Sequence, residues 1–222
     1  MRVIGPILCM GLLASVAIAG PITAPRKSQF EKAMNVIMAS ITPQLSDLQR
    51  EDLVRDYVEG KPNKGQAVEL VNGHYFRSTA HEDLSVTADR TLEACQLRYG
   101  KPCALLAVND EIAAEGEIKS KDMPRLHYSG EFDLAKIPVI RAVTRARADV
   151  QSYFGAAGPK AIAIHPWGFL FISTGRANAR DAQDAALAEC NSDPRRQFKD
   201  GNCFVYTVEN QVVIAERRML GR

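Results

Sequence analysis

Cysteine, histidine and tryptophan carry the most reactive or recognitive chemistry in this chain, and each is scarce, with 5 Cys, 4 His and 1 Trp in 222 residues. The cysteines are Cys9, Cys95, Cys103, Cys190 and Cys203. Neither the step from Cys95 to Cys103 nor that from Cys190 to Cys203 is a C-x-x-C, which excludes a thioredoxin-type redox pair, and close-spaced zinc ligands do not occur. The histidines, His74, His81, His127 and His165, form no H-E-x-x-H and no pair at i, i+4. His81-Glu82-Asp83 comes nearest to a metal-like cluster, yet it sits just ahead of a helical pattern, where acidic residues suit the helix dipole. No metal and no cofactor is therefore expected.

Nucleophilic catalysis would want a serine on a G-x-S-x-G elbow with a base beside it, and neither Ser129-Gly130 nor Ser173-Thr174-Gly175 fits. The chain has no G-x-G-x-x-G and no G-x-x-x-x-G-K-[ST], so it shows no nucleotide cradle. No catalytic residue can be named. Two carboxylates brought together by folding, as in glycoside hydrolysis, leave no local signature and stay open.

Two features fit a partner surface. Trp167, the sole tryptophan, stands in His165-Pro166-Trp167 between two short apolar runs. An aromatic at a loop tip anchors a partner at low entropic cost, or else folds back to cap the sheet. Arg141, Arg145 and Arg147 recur along one stretch, and with Arg195, Arg196, Lys199, Arg217 and Arg218 they could form a basic surface for anionic envelope lipids or glycans. The opposing reading is a solvated face, since Asp149, Asp193 and Asp200 are interspersed.

The elements that must position these residues follow from the rest of the sequence. A composition 46% hydrophobic and 24% charged describes a folding chain, and a formal charge of +2 from 28 basic and 26 acidic residues leaves no footprint for nucleic acid. Residues 1–19 read as a signal peptide: Arg2, an apolar run of about 15 residues where roughly 20 would span a membrane, then Ala17-Ile18-Ala19. Cleavage is expected after Ala19, discarding Cys9 and leaving no integral membrane span. A periplasmic or secreted product with four remaining cysteines should carry disulfides.

An internal repeat organises what remains. Gly73, Phe76, Ser78, Thr79, Leu92 and Cys95 recur, at a constant offset, as Gly168, Phe171, Ser173, Thr174, Leu187 and Cys190. After the first cysteine of each half the register slips, so that Cys103 matches Cys203 across a longer loop. Each copy opens with two short β-branched and aromatic runs, Gln66 to Val71 and His74 to Thr79, or Ala161 to Ile164 and Phe169 to Ser173. Asn72-Gly73 suits a two-residue hairpin turn. A helix follows, capped by Thr87 in the first copy and Asn178 in the second, and then a strand led by Cys103 or Cys203, a polar turn and a return strand.

Phe30, Ala33, Met34, Ile37, Met38 and Ile41 form one helical stripe at the front. A second helix starts near Thr42-Pro43 or Ser46 and runs to Val58. Between the copies, an extended stretch from Phe132 to Pro138 leads to a helix from Val139 or Ile140 to about Phe154. The expected fold is thus α+β, with tandem β-β-α-β-β modules on antiparallel sheets plus N-terminal and central helices. Its divisions are 1–19 signal peptide, 20–62 helical segment, 63–118 first module, 119–158 linker with helix and 159–222 second module.

Four cysteines allow three pairings, and the repeat selects Cys95 with Cys103 and Cys190 with Cys203, each tying a helix end to the following strand. For loops of about 9 and about 14 residues, the chain-entropy model gives about 2.6 and about 3.0 kcal/mol.

The pattern Leu92-x-x-Cys95 then Cys103-x-Leu105-x-Ala107-Val108-Asn109, repeated as Ala182-x-x-x-Ala186-Leu187-x-x-Cys190 then Cys203-x-Val205-Tyr206-x-Val208, resembles a small exported bacterial domain of unknown function. Gly158-Pro159-Lys160-Ala161-Ile162-Ala163 shares the resemblance, which spans residues 64 to 218. Such modules occur alone, in tandem, or appended to caspase-like or cyclase-like proteins. The resemblance implies a disulfide-stabilised accessory or binding module and carries no catalytic residue. The expected function is an exported binding or interaction module of the cell envelope, with an envelope protein or a glycan as partner. The alternative is a small periplasmic hydrolase-like enzyme with its site between the repeats.

Overall fold

The computed structural model describes residues 24–197 and 199–219; the expected leader at 1–19, with Cys9, lies outside the described residues. Helix α1 (Ala24–Ile41) buries Phe30, Met34 and Met38 with Ile37 and Ile41 partly packed, the expected stripe, while Ala33 stays at the surface. Thr42 does not cap the next helix. Its Oγ1 turns back to donate to Met38 O at 2.6 Å and closes α1. Helix α2 (Asp47–Glu59) starts instead at Ser46, which forms a capping box with Gln49.

The first unit comprises β1 (Gly65–Glu69), β2 (His74–Ser78), α3 (Leu84–Tyr99), β3 (Ala104–Val108) and β4 (Glu111–Ile112), in sheet order β2-β1-β3-β4 with antiparallel neighbours. Asn72-Gly73 is not a two-residue turn. The Glu69 carboxylate accepts from Val71 N, Asn72 N and Asn72 Nδ2, which widens the connection to Leu70–Gly73 and leaves the positive φ (66°) on Gly73. Helix α3 is capped by Asp83, which accepts from Ser85 N; Thr87 lies inside the first turn, buried, with its hydroxyl on Asp83 O.

The expected single central helix is two short ones, α4 (Ala142–Arg145) and α5 (Ala148–Ser152), followed by a 3-10 turn at Tyr153–Gly155. The break falls at Arg147, whose backbone is extended at ψ 138° while its guanidinium binds Asp149 and donates to Leu170 O at 2.9 Å. Phe132 to Pro138, expected to be extended, contains a further 3-10 turn, Leu134–Lys136, capped by Asp133.

The second unit comprises β5 (Ala161–Ile164), β6 (Leu170–Ser173), α6 (Ala179–Ser192), β7 (Phe204–Val208) and β8 (Gln211–Val212), in the order β6-β5-β7-β8. Asn178 caps α6 as expected. A short closing helix, α7 (Ile214–Met219), was not signalled by any pattern in the sequence. The two units share register as well as order: Gly65 faces Ser78 and Val108, Ala161 faces Ser173 and Val208, and both inner strands bulge one residue in, at Gln66/Ala67 and Ile162/Ala163. Disulfides join Cys95 to Cys103 and Cys190 to Cys203, each with a Cα separation of 6.2 Å.

The likeness reaches upstream of residues 63 and 159. Tyr57 donates to Asn109 O at 2.8 Å and Tyr153 to Glu209 O at 2.7 Å, and both acceptors have positive φ in the turn after the long strand. Lys64 donates to Val58 O at 2.7 Å and lies over the Tyr57 ring; Lys160 donates to Tyr153 O, Phe154 O and Ala156 O and lies over the Tyr153 ring. Each unit is therefore entered by a helical turn that a buried lysine and a buried tyrosine fasten to the sheet.

Core side chains fall into three clusters that define the layers. One side of the first sheet, through Val68, Ala104 and Leu106, packs on α1 and α2. Its other side, through Ala67 and Phe76, joins α3, the linker and Ile162, Ile164 and Tyr206 of the second sheet in one central cluster. The far side of the second sheet packs on α6 through Ala161, Ala163 and Phe171. Helix α3 thus lies between the first sheet and the linker and is buried nearly all round from Arg90 to Leu97, whereas α6 buries only Ala182, Ala186 and Cys190.

Candidate functional site

Helix α3 faces the linker with polar side chains, and these decide where the linker lies. The Glu93 carboxylate, 1% exposed, accepts from Arg125 Nε at 2.5 Å and from Val139 N at 2.9 Å; Gln96 Oε1 accepts from Met123 N at 2.9 Å. Burial pushes the Glu93 carboxyl above its ordinary range, against the pull of Arg125. Nearby, Glu82 accepts from Ala142 N at 2.9 Å and pairs with Arg90, and these bonds hold its carboxyl down at about 2 despite desolvation. In α6 the positions of Arg90 and Glu93 are Ala185 and Ala188. The polar face is peculiar to the helix that has a linker to hold.

Held this way, the linker, the end of β2 and the β5–β6 turn enclose a cleft of about 390 Å³ between the two units. Trp167 stands at its wall, tilted against Phe76 of the first unit with ring centroids 5.1 Å apart, and its Nε1 donates to Asp200 O at 3.1 Å. Gly168, at φ 81°, lets the turn come down on the linker, where an added Cβ would meet Val139 O at 3.1 Å. The cleft wall is apolar at Phe76, Val139, Val143 and Phe169, and cationic at Arg90, Arg141, Arg195 and Lys199.

The cations differ in what already occupies them. Arg90 pairs with Glu82, and Arg195 with Asp193 at 2.5 Å. Among the described residues no carboxylate lies within ion-pair distance of Arg141 or Lys199. Arg141 donates to Thr79 O at 3.0 Å, and Lys199 donates to Arg195 O at 2.7 Å while lying 5.2 Å from the centroid of the Phe169 ring.

Ser78 and His81 meet in the same cleft, with Oγ and Nε2 2.9 Å apart. Thr91 has one hydroxyl proton, and the geometry assigns it to Thr87 O at 2.7 Å. Ser78 must then donate to Thr91 Oγ1, at 2.5 Å, and accept from His81 Nε2–H. The second unit supports that direction, because Arg176 stands in the place of His81 and its Nε, which can only donate, lies 2.8 Å from Ser173 Oγ. Desolvation and the neighbouring Arg90 and Arg141 lower His81 to about 4, leaving a neutral ring that is a weak base. The pair straps the loop after β2 onto its strand. Its remaining nitrogen, Nδ1, is buried with no hydrogen-bond partner among the described residues.

The residues expected at a partner surface separate in the structure. Trp167 and Arg141 line the cleft. His165 does not: it is 0% exposed, its Nδ1 accepts from Trp167 N and its Nε2 donates to Gly201 O, so it holds the turn from inside. Burial also lowers His165 to about 4. Arg145 turns inward as well and donates to Leu134 O and Ile137 O. Arg147 is taken by Asp149 and Leu170 O, and Arg196 by Cys190 O, Asn191 and Gly201 O. The side chains of Arg217 and Arg218 lie outside the described residues. His81-Glu82-Asp83 divides among three tasks, to Ser78, Arg90 and the α3 cap, and no group able to hold a metal occurs among the described residues.

Sequence reasoning missed Ser78, Thr79, Arg90 and Val143. The signal available was Arg90 itself, a charged residue in the middle of a helix whose counterpart in the second unit carries Ala185 at the matching position. No protein family, curated protein or solved structure matches the chain. Two disulfides fit an oxidising compartment, and no helix among the described residues is long and apolar enough to cross a membrane.

Proposed function

We propose that this chain is an exported, disulfide-stabilised binding module of the cell envelope, built from a duplicated unit, and that the cleft beside Trp167 is where it binds. The leader at 1–19 with cleavage after Ala19, the periplasmic or secreted location and the likeness to small exported bacterial domains belong to this reading. The observation that carries it is the cleft itself: both units and the linker contribute to it, and two cations without a carboxylate partner among the described residues, Arg141 and Lys199, share it with apolar side chains.

The hydrolase alternative places its site in the same region; no carboxylate lines the cleft among the described residues, so a hydrolase there would draw on Ser78 rather than on a carboxylate pair. The hydrogen-bond direction makes Ser78 an acceptor from His81, and burial, with Arg90 and Arg141 nearby, weakens His81 as a base. Binding without turnover is the better fit. An active-site-directed fluorophosphonate decides between the two: the binding reading expects no adduct on Ser78 by mass spectrometry, and stoichiometric labelling of Ser78 would establish the hydrolase. In parallel, a low-mass fraction of envelope extract should change the Trp167 emission saturably, and an emission indifferent to every fraction would count against a ligand site here.

A further inference from the structure

We infer that the cleft takes a small ligand made of an oxyanion on an apolar or aromatic body, its anion between Arg141 and Lys199 and its body against Trp167 and Val143. The inference rests on the binding reading and specifies the ligand class.

Three observations point the same way. First, the hydrogen-bonding side chains that line the cleft are arginines, a lysine, hydroxyls, one histidine and the indole of Trp167, with no carboxylate and no amide among the described residues there. A neutral sugar needs acceptors for its hydroxyl protons, which this wall supplies poorly; an oxyanion needs donors, which it supplies in excess. Second, Arg141 and Lys199 reach the cleft without a carboxylate partner, so an incoming anion displaces no existing ion pair, whereas at Arg90 or Arg195 it would compete with Glu82 or Asp193. Third, Val143 is 73% exposed at the mouth of the cleft, next to Val139, Phe76 and Trp167 within it. An apolar body covering that lip removes surface that the folded chain leaves in water.

Size limits the ligand too. About 390 Å³ is at the low end of small-molecule pockets and suits a compound of one or two rings rather than a polymer segment. The mixed wall sets the order of affinities: an anion alone gains only the charges, a ring alone only the apolar face, and a molecule with both gains both.

Phenyl phosphate, inorganic phosphate and phenol separate these contributions. Titrated against the full chain with Trp167 emission as readout, phenyl phosphate should saturate at concentrations about tenfold or more below either fragment. Its affinity should fall severalfold between about 50 mM and about 0.5 M salt. Arg141→Ala should weaken it about tenfold, and Lys199→Gln by a smaller factor, with far-ultraviolet circular dichroism unchanged. Phenol binding as tightly as phenyl phosphate, or unaffected affinity in Arg141→Ala, would overturn the anion assignment while leaving a binding cleft. Phosphate alone matching phenyl phosphate would overturn the apolar half. None of the three changing the emission would overturn the inference, and the envelope-fraction titration would still stand as the test of the cleft as a binding site.

Discussion

Single residues in this fold are worth more when they satisfy several backbone groups at once. Lys160 is 4% exposed and its ammonium meets three carbonyls, so Lys160→Met should cost about 2–3 kcal/mol by leaving buried acceptors unpaired. Lys64→Met, with one close carbonyl and one at 3.4 Å, should cost less, which urea titration of the two variants can compare. His81 and His165 act through their protons. Both are lowered to about 4 from an ordinary 6.5, so between those values the unfolded chain binds more protons than the native one. Their contribution is complete above pH 6.5 and disappears as pH falls toward 4. The melting temperature should decline across that window, and less steeply in His165→Gln; a flat profile would contradict the buried neutral rings.

Elements show what periodicity and caps can reveal. The strands, the α6 cap at Asn178 and the apolar stripe of α1 were legible because each is a local pattern with one physical cause. The cysteine pairing was legible because both β-β-α-β-β units set a cysteine at the helix end and another at the head of the next strand. The α3 start was misplaced to Thr87 since both Asp83 and Thr87 are good caps, and only burial of Thr87 under the sheet decides between them. The central helix was overread because its break at Arg147 comes from a bond to Leu170 O, a partner outside the segment. Both disulfides tie a helix end to the next strand, so removing either should cost up to the loop-closure value, about 2.6 kcal/mol for Cys95→Ala with Cys103→Ala and about 3.0 kcal/mol for the Cys190 and Cys203 pair. Thiol titration of the native protein should find none of these four cysteines reactive, and four free thiols would refute the pairing.

At the scale of the whole molecule, the first unit carries structural tasks that the second does not. Its helix α3 is clasped between the first sheet and the linker, which it pins through Glu93 and Gln96 together with Glu82 just ahead of its cap, while α6 faces water on one side. Trp167 closes the arrangement from the other unit by packing on Phe76, and Arg98 with Asp200, 2.9 Å apart, ties the loop after α6 to the end of α3. Trp167→Ala should therefore cost about 2 kcal/mol and loosen the contact between the units, seen as faster proteolysis at the linker. Little of the cleft could be read from sequence. Trp167 and Arg141 stood out by type, but Ser78, Thr79 and Val143 enter it only because the linker folds across α3, which no local pattern encodes.

Hydrogen exchange of the full chain, with and without saturating phenyl phosphate, addresses the cleft most directly. Protection confined to the end of β2 around 76–79, the linker at 139–144 and the turn at 166–169 is the expected result, whereas exchange unchanged in those three segments, or slowed only elsewhere, would show that an oxyanion on an aromatic body does not bind at the junction of the two units.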